Sequence, residues 1–267
     1  MNDRDESQAA VVARCLVRYE NIGTLATIFH SDPTSPGHHE PGTQEQVTLD
    51  MSALEATEQK EFVKEREESQ LEGYPFSLFD YYVDLPQYPG VPIFFISKLQ
   101  KCVKNIKHDP RASFTIQSSP QFMCKFMGTS KSTPMESGRV SLVGKVVPID
   151  QEKEPELVIA CRNEFVKIHP DSKKWMGMND FSFYRFEVDK IYWVGGFGNI
   201  HYIGWIHSKL YSGVGEEKLP APRIGYQPCD TPTGEKFSLS VNQVKQNLKP
   251  IALMIIIIVS LVFMFLG

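Results

Sequence analysis

The alternation of apolar and polar positions is clearest between residues 180 and 205. Apolar residues alternate with charged ones from 184 to 189, the period of two that is typical of a half-buried strand. Two apolar runs, 181–188 and 191–194, meet at the turn-like pair Asp189-Lys190. This stretch therefore predicts a β-hairpin.

The second apolar run ends in Gly195-Gly196-Phe197-Gly198. Glycines allow another group to approach the backbone closely, and they also permit sharp bends. Two interpretations remain open: a bulge or tight exit from a barrel, or a loop that contacts a ligand. The pattern favours the first.

Short strand-like and helix-like segments alternate through the rest of the chain. Strands are predicted at 23–29, 74–83, 91–97, 111–117 and 139–149, and helices at 7–19, 98–108 and 154–169. Short strands at regular intervals with a few helices between them are typical of a small barrel decorated with helices. The predicted fold class is mostly β with helices, in one domain over residues 1–207.

Three segments depart from this pattern. Residues 30–73 are polar and turn-forming and predict a surface insertion. Residues 118–138 predict a long loop between two strands. Residues 208–249 contain many turn formers and predict a linker to the C-terminal segment.

The C-terminal segment 251–267 contains no charged residue. About 17 helical residues span roughly 25 Å, at the short end for crossing a bilayer. A helix that is apolar all round fits a buried core helix or a membrane span, and we favour a single-pass tail anchor over residues 250–267. The barrel would then face the cytosol, on the endoplasmic reticulum or the mitochondrial outer membrane. The charged N-terminal stretch does not resemble a secretory signal.

Composition narrows the partners and the chemistry. The net charge of -4 and the pI near 6.0 argue against a nucleic-acid partner. The five cysteines include no CxxC pair, so nothing in their spacing demands an oxidising compartment. No GxSxG or HExxH motif is present, and no metal site is predicted.

Several blocks in a fixed order carry a family resemblance. They are GTLATI, YPFSLFDYYVD, GVPIFFIS, KNIKHDPRASFTI, GRVSLVGKVVPID, KIHPDSKKW and DFSFYRFEVDKIYWVGGFG. Over about residues 9–206 the chain resembles the CREG-like branch of the pyridoxamine 5′-phosphate oxidase-related superfamily. The closing block is also similar to HugZ-type haem-utilisation proteins.

The resemblance implies a six-stranded split β-barrel of the flavin-binding type, which forms a homodimer with ligand grooves at the subunit interface. In flavin-binding relatives, basic and hydroxyl side chains hold the phosphate of flavin mononucleotide (FMN). The residues it implies for cofactor binding here are Tyr74, Ser77, Ser97, Lys98, Lys101 and Trp205. A hydroxyl and lysines at a helix start suit an anion, although solvated lysines would give the same pattern.

Two departures from the flavin-binding pattern bear on function. PFSLFDYYVD has no basic residue where flavin oxidases carry arginine, and residues 118–138 lie where a loop fills the groove in some CREG members. Cys124 also lacks the second cysteine of that family, so no disulfide is expected. These departures favour a membrane-tethered, non-catalytic, dimeric binding or regulatory module that needs no cofactor. The alternatives are an FMN-dependent oxidoreductase and a haem-binding or haem-degrading protein with His201 or His207 as the iron ligand.

Overall fold

The computed structural model of the protein describes residues 3–31, 70–128, 133–196 and 201–225. Its strands are β1 (Ile22–Ile28), β2 (Pro75–Asp84), β3 (Pro92–Ser97), β4 (Arg111–Gln117), β5 (Arg139–Pro148), β6 (Phe181–Val194) and β7 (Ile203–Ile206). Its helices are α1 (Glu6–Tyr19), α2 (Lys101–His108), α3 (Pro120–Phe122), α4 (Pro155–Ile168) and α5 (Ser208–Ser212).

The sheet closes into a barrel. The strand order is β3-β2-β1-β4-β5-β6-β7, and β3 also pairs with β6. Six strands therefore form a closed ring, while β7 extends the sheet beyond β6. Every pairing among these strands is antiparallel. The predicted six-stranded, mostly β barrel with helices is confirmed.

The predicted hairpin at Asp189-Lys190 is wrong, because β6 is one continuous strand of 14 residues. Along the pairing with β5, Lys190 is opposite Val143 and Val188 is opposite Gly144, so Asp189 has no partner and forms a bulge. The backbones approach closely at the bulge, because a Cβ atom on Gly144 would lie 1.9 Å from the Glu187 carbonyl oxygen. The bulge bends β6, whose first half pairs with β3 and whose second half pairs with β7.

Two apolar clusters hold the barrel together. The first fills its interior and includes most of α1, which is buried on nearly all sides. Its large side chains, such as Tyr82, Phe114 and Trp193, are fully buried. The second lies outside the barrel, where α4 covers β3 and the start of β6 through Phe95, Phe165 and Phe183. Trp193 is thus a core residue.

The sequence predicts a long loop at residues 118–138, but part of this segment is helical. The short helix α3 continues into a π-helical turn at Met123–Met127. Phe122 is buried against Tyr19, with ring centroids 5.7 Å apart. The Ser119 amide donates to a Glu20 carboxylate oxygen at 2.8 Å. This segment therefore packs at the end of the barrel where α1 ends.

Residues 208–225, predicted as the start of a linker, pack against the barrel. Tyr211 of α5 is 3 % exposed, and the Gly225 amide donates to the Ile168 carbonyl at 2.7 Å. These residues belong to the compact unit that covers residues 1–227.

Two of the predicted segments lie largely or wholly outside the described residues. Within the ranges described above, no helix is long and apolar enough to span a bilayer. The predicted tail anchor at 251–267 lies outside them, as does most of the predicted insertion at 30–73.

Candidate functional site

Ser97 and Lys98 lie where β3 leaves the barrel for α2. The buried Ser97 hydroxyl donates to an Asp180 carboxylate oxygen and accepts from the Leu99 amide at 3.1 Å. The Lys98 amide donates to the Asp180 carbonyl at 2.7 Å, and the Lys98 side chain is exposed. Ser97 therefore fixes the turn, and its hydroxyl is already occupied by protein groups.

Lys101 and Tyr74 share Phe29 as a neighbour. The Lys101 ammonium lies 4.0 Å from the centre of the Phe29 ring, and the Phe29 amide donates to the Tyr74 carbonyl at 2.7 Å. Helix α2 has no side-chain cap and no acidic residue in its first turn. The helix start and its lysines keep the character of an anion site, and the predicted phosphate role stays a prediction.

Ser77 and Trp205 lie on the outer face of the sheet. Ser77 pairs with Ala26 of β1, and Trp205 pairs with Tyr192 of β6. In one direction around the barrel β1, β4, β5 and β6 lie between β2 and β7, and in the other direction β3 and β6 lie between them. The two residues thus face outward from different strands, and their predicted role in cofactor binding stays a prediction.

A row of side chains crosses this outer face from β2 to β7. Paired positions give the order Phe79, Thr24, Thr115, Ser141, Tyr192 and Trp205. The hydroxyl oxygens of Thr115 and Ser141 are 2.8 Å apart at its centre. The aromatic ends are exposed, Phe79 by 76 % and Trp205 by 57 %. The face thus has a small, polar centre and large aromatic side chains at its edges.

The described part of segment 118–138 lies at the other end of β1 from Lys101. Ser119 contacts Glu20 just before β1 begins, while Lys101 contacts Phe29 just after it ends. A strand of seven residues is roughly 20 Å long. The part of the segment that the structure describes therefore does not cover Lys101 at the start of α2 in its own chain.

A buried carboxylate orients His201. The Asp3 side chain is 2 % exposed and lies 2.7 Å from His201 Nδ1. Asp3 also accepts from Trp193 Nε1 at 3.1 Å. A Cβ atom on Gly195 would lie 1.9 Å from Asp3 Oδ2, and Gly196 has φ +150°. The first two glycines of the GGFG sequence therefore make room for this carboxylate and let the chain turn.

The Asp3–His201 pair has a definite chemistry. In the neutral form of His201 the carboxylate accepts from Nδ1–H, which leaves the lone pair on Nε2, where it can bind a metal ion or accept a proton. His201 is partly exposed, with 28 % of its side chain accessible. Sequence reasoning singled out His201 but missed Asp3, which is distant in sequence and carries no motif.

His207 and His169 have structural roles. His207 Nδ1 accepts from the Lys209 amide at 3.2 Å and caps α5, so its proton lies on Nε2. His169 Nε2 lies 2.9 Å from the Tyr82 carbonyl, and its ring stacks on Tyr81 at 4.4 Å. Burial lowers the pKa of His169 to about 4. These contacts make His201 the better placed of the two predicted iron ligands.

The described cysteines are free thiols. Burial raises the pKa of Cys15 to about 11 and the pKa values of Cys102 and Cys161 to about 12. Since the thiolate is the nucleophile, these three side chains act as small apolar residues. Cys124 is exposed on the π-helical turn.

Fold and site together define a closed antiparallel split barrel with helices and a mixed polar and aromatic outer sheet face. The family model described as "CREG, beta-barrel" matches residues 62–213, more than half of the chain. The chain therefore belongs to the CREG β-barrel family, as the resemblance predicts. It is 29 % identical to Protein CREG1 of Homo sapiens over 109 residues, 41 % of this chain and 47 % of that protein. It is 22 % identical to Protein CREG1 of Mus musculus over 131 residues, 48 % and 57 % of the two chains. The chain spans about half the length of these curated relatives.

Solved structures with a similar chain path include a heme binding protein from Mycobacterium smegmatis, with a TM-score of 0.49 and 22 % identity. That similarity covers 81 % of this chain and 61 % of the other. HutZ, a heme storage protein from Vibrio cholerae, has a TM-score of 0.41 and 12 % identity, over 70 % of this chain and 94 % of the other.

Proposed function

We propose that the protein is a CREG-type binding module that works as a homodimer through the outer face of its sheet. The row from Phe79 to Trp205 carries this proposal. Its aromatic ends lie exposed on either side of a centre of small hydroxyl side chains. Buried aromatic residues supply much of the binding energy at protein interfaces, and a two-fold pairing would cover both ends at once.

The dimer also bears on the cofactor candidates. Ser77 and Trp205 lie on different strands, but both are on the outer face of the sheet. Two copies joined through this face would bring residues from both chains to one groove. The Ser97 hydroxyl already donates to Asp180, so its hydrogen is not available to a flavin phosphate. We therefore infer that the groove binds a partner, with FMN binding and oxidoreduction as the alternative.

Charge substitution on the outer face tests the dimer. We expect Phe79→Glu and Trp205→Glu each to weaken dimerisation at least ten-fold, about 1.4 kcal/mol. The introduced carboxylate would be buried in the interface between the two copies without a partner. Light scattering coupled to gel filtration measures the change. Leu99→Glu is the matched control, because Leu99 is 75 % exposed and lies outside the strands. A wild-type monomer, or Glu variants that dimerise normally, would contradict the proposal.

Haem binding is the second candidate, and the Asp3–His201 pair favours it. A carboxylate that holds Nδ1 leaves Nε2 ready for an iron ion. We expect added haemin to give a Soret band that His201→Ala abolishes and that His207→Ala leaves unchanged, since His207 caps α5. Absorption spectra of the purified variants decide this. A band that survives His201→Ala rules out the assignment. A flavin spectrum that stays with the protein through gel filtration after FMN addition would favour the redox alternative.

We further propose that residues 251–267 tether the module to a membrane with the barrel in the cytosol. The apolar composition of this segment, which contains no charged residue, supports it. A fluorescent fusion at the N-terminus should fractionate with membranes and become soluble when residues 251–267 are deleted. Membrane association that persists after deletion would contradict the proposal, and co-localisation would distinguish the endoplasmic reticulum from mitochondria.

A further inference from the structure

Helix α2 is fixed on the barrel by its inner face. Cys102 and Ile106 are buried in the apolar cluster of the barrel interior. Asn105, also on this face, is fully buried. Its side chain donates to the Thr27 hydroxyl at 2.9 Å and accepts from the His30 amide at 3.1 Å. These contacts hold the helix in one orientation, so its opposite face is presented to the surroundings as a fixed surface.

The outer face of α2 carries cations and no carboxylate. Residues 97–108 contain no acidic residue, although the chain as a whole has a net charge of -4. The exposed cationic or titratable side chains on this side, which we call the α2 basic face, are Lys98, Lys104, Lys107 and His108. The last three follow one another at helical spacing and therefore form one stripe. Among the described residues, none of the three lysines of this face forms an ion pair.

A large apolar side chain stands beside these charges. Leu99 is 75 % exposed and lies between Lys98 and the start of α2. The acidic residue that follows the helix does not neutralise the face, because Asp109 already accepts from Arg111 Nε at 2.9 Å. The eight residues of α2 span about 12 Å, so the charges are spread over a length much greater than one phosphate group. Spread lysines with an exposed leucine among them are typical of a surface that contacts lipid.

We propose that the α2 basic face binds the surface of an anionic lipid bilayer, with its lysines at the headgroups and Leu99 at the boundary of the acyl chains. Clustered lysines on an amphipathic helix are attracted to anionic lipid by their charge. The negative charge of the whole chain disfavours nucleic acid as the occupant. The inference does not depend on the proposed dimer or tether, because the attraction comes from the face itself. It also differs from the predicted flavin site, which includes neither Lys104 nor Lys107.

Chemical modification of lysine amines in the full chain, measured at each lysine by mass spectrometry, tests the proposal. The protein is mixed with vesicles of phosphatidylcholine alone or of phosphatidylcholine with phosphatidylserine. We expect Lys104 and Lys107 to react at least about five-fold more slowly with the anionic vesicles. The difference should vanish at about 1 M salt, where attraction between charges is screened beyond roughly 3 Å. Lys167 and Lys173, exposed on other elements, should react equally with both kinds of vesicle.

Charge reversal supplies the second measurement. The double variant Lys104→Glu, Lys107→Glu should remove the difference between the two kinds of vesicle at Lys98. The matched control, Lys173→Glu with Lys174→Glu, makes the same charge change on an exposed turn and should keep that difference. Equal modification of the wild type with both kinds of vesicle, or protection that soluble glycerophosphoserine reproduces without vesicles, would overturn the proposal. Co-sedimentation with the neutral vesicles measures the tether separately, because phosphatidylcholine has no net charge to attract the lysines.

Discussion

At the scale of single residues, two carboxyls show how burial changes the role of one chemical group. Asp3 is buried but accepts from His201 and Trp193, so it fixes the geometry around it. The Oδ2 atom of Asp80 is buried without a donor in the described chain, which disfavours its charged form. The first carboxyl orders its surroundings, and the second destabilises the folded protein once it is ionised.

The pH dependence of stability should reveal Asp80. Its pKa is about 7 in the folded protein, against about 4 in an unfolded chain. Its contribution is therefore fully present below pH 4 and is lost as the pH rises through 7. From pH 5 to pH 8, we expect wild type to lose on the order of 2–4 kcal/mol relative to Asp80→Asn. Urea unfolding at both pH values measures this.

The control for this experiment is Asp189→Asn, because Asp189 is exposed. It should follow the wild-type curve within about 0.5 kcal/mol. Parallel curves for wild type and Asp80→Asn would show that the folded and unfolded states hold this carboxyl with the same affinity for protons.

Neither the contacts of Asp3 nor the inward position of Asp80 could be identified from the sequence. Asp3 meets partners 190 and 198 positions away, and no local pattern records such a contact. Asp80 lies in a strand in which apolar and polar residues alternate, and there an acidic residue predicts a position that faces outward. Ser97 was correctly placed at a strand-to-helix junction, but its partner Asp180 comes from a distant turn.

At the scale of elements, local pattern predicts the strands well and the connections poorly. β4 has the bounds predicted for it, Arg111–Gln117, because period-two alternation depends on the strand alone. Asp189-Lys190 has the composition of a turn, yet it forms a bulge. Whether these two residues form a turn or a bulge depends on β3 and β7, which pair with the two halves of β6. That tertiary information is absent from the local sequence.

The bulge also positions the candidate site. It lets one strand close the barrel against β3 and then continue to β7, which carries Trp205. The outer row from Phe79 to Trp205 exists because β7 extends the sheet by one strand. In the second half of β6, Tyr192 packs against Trp205 of β7, with ring centroids 5.1 Å apart.

At the scale of the whole molecule, residues 208–225 decide where the folded unit ends. Tyr211 fills a slot beside the fully buried Arg14 and donates to the Gly90 carbonyl at 3.3 Å. Arg18 forms an ion pair with Glu216 at 2.7 Å. Arg223 pairs with the buried Glu20 at 2.9 Å. These contacts tie the segment to α1 at several points along its length.

Truncation distinguishes a folded segment from a linker. A chain that ends at Gly225 should unfold cooperatively, with a melting temperature close to that of the full chain. A chain that ends at His207 exposes the slot of Tyr211 and leaves Glu20 without Arg223, so it should lose at least about 3–5 kcal/mol. For a chain of this size that corresponds to roughly 10 °C. Calorimetry compares the two, with Tyr211→Ala in the longer chain as the intermediate case. If the shorter chain melts with the longer one, residues 208–225 contribute nothing to stability and the unit ends with β7.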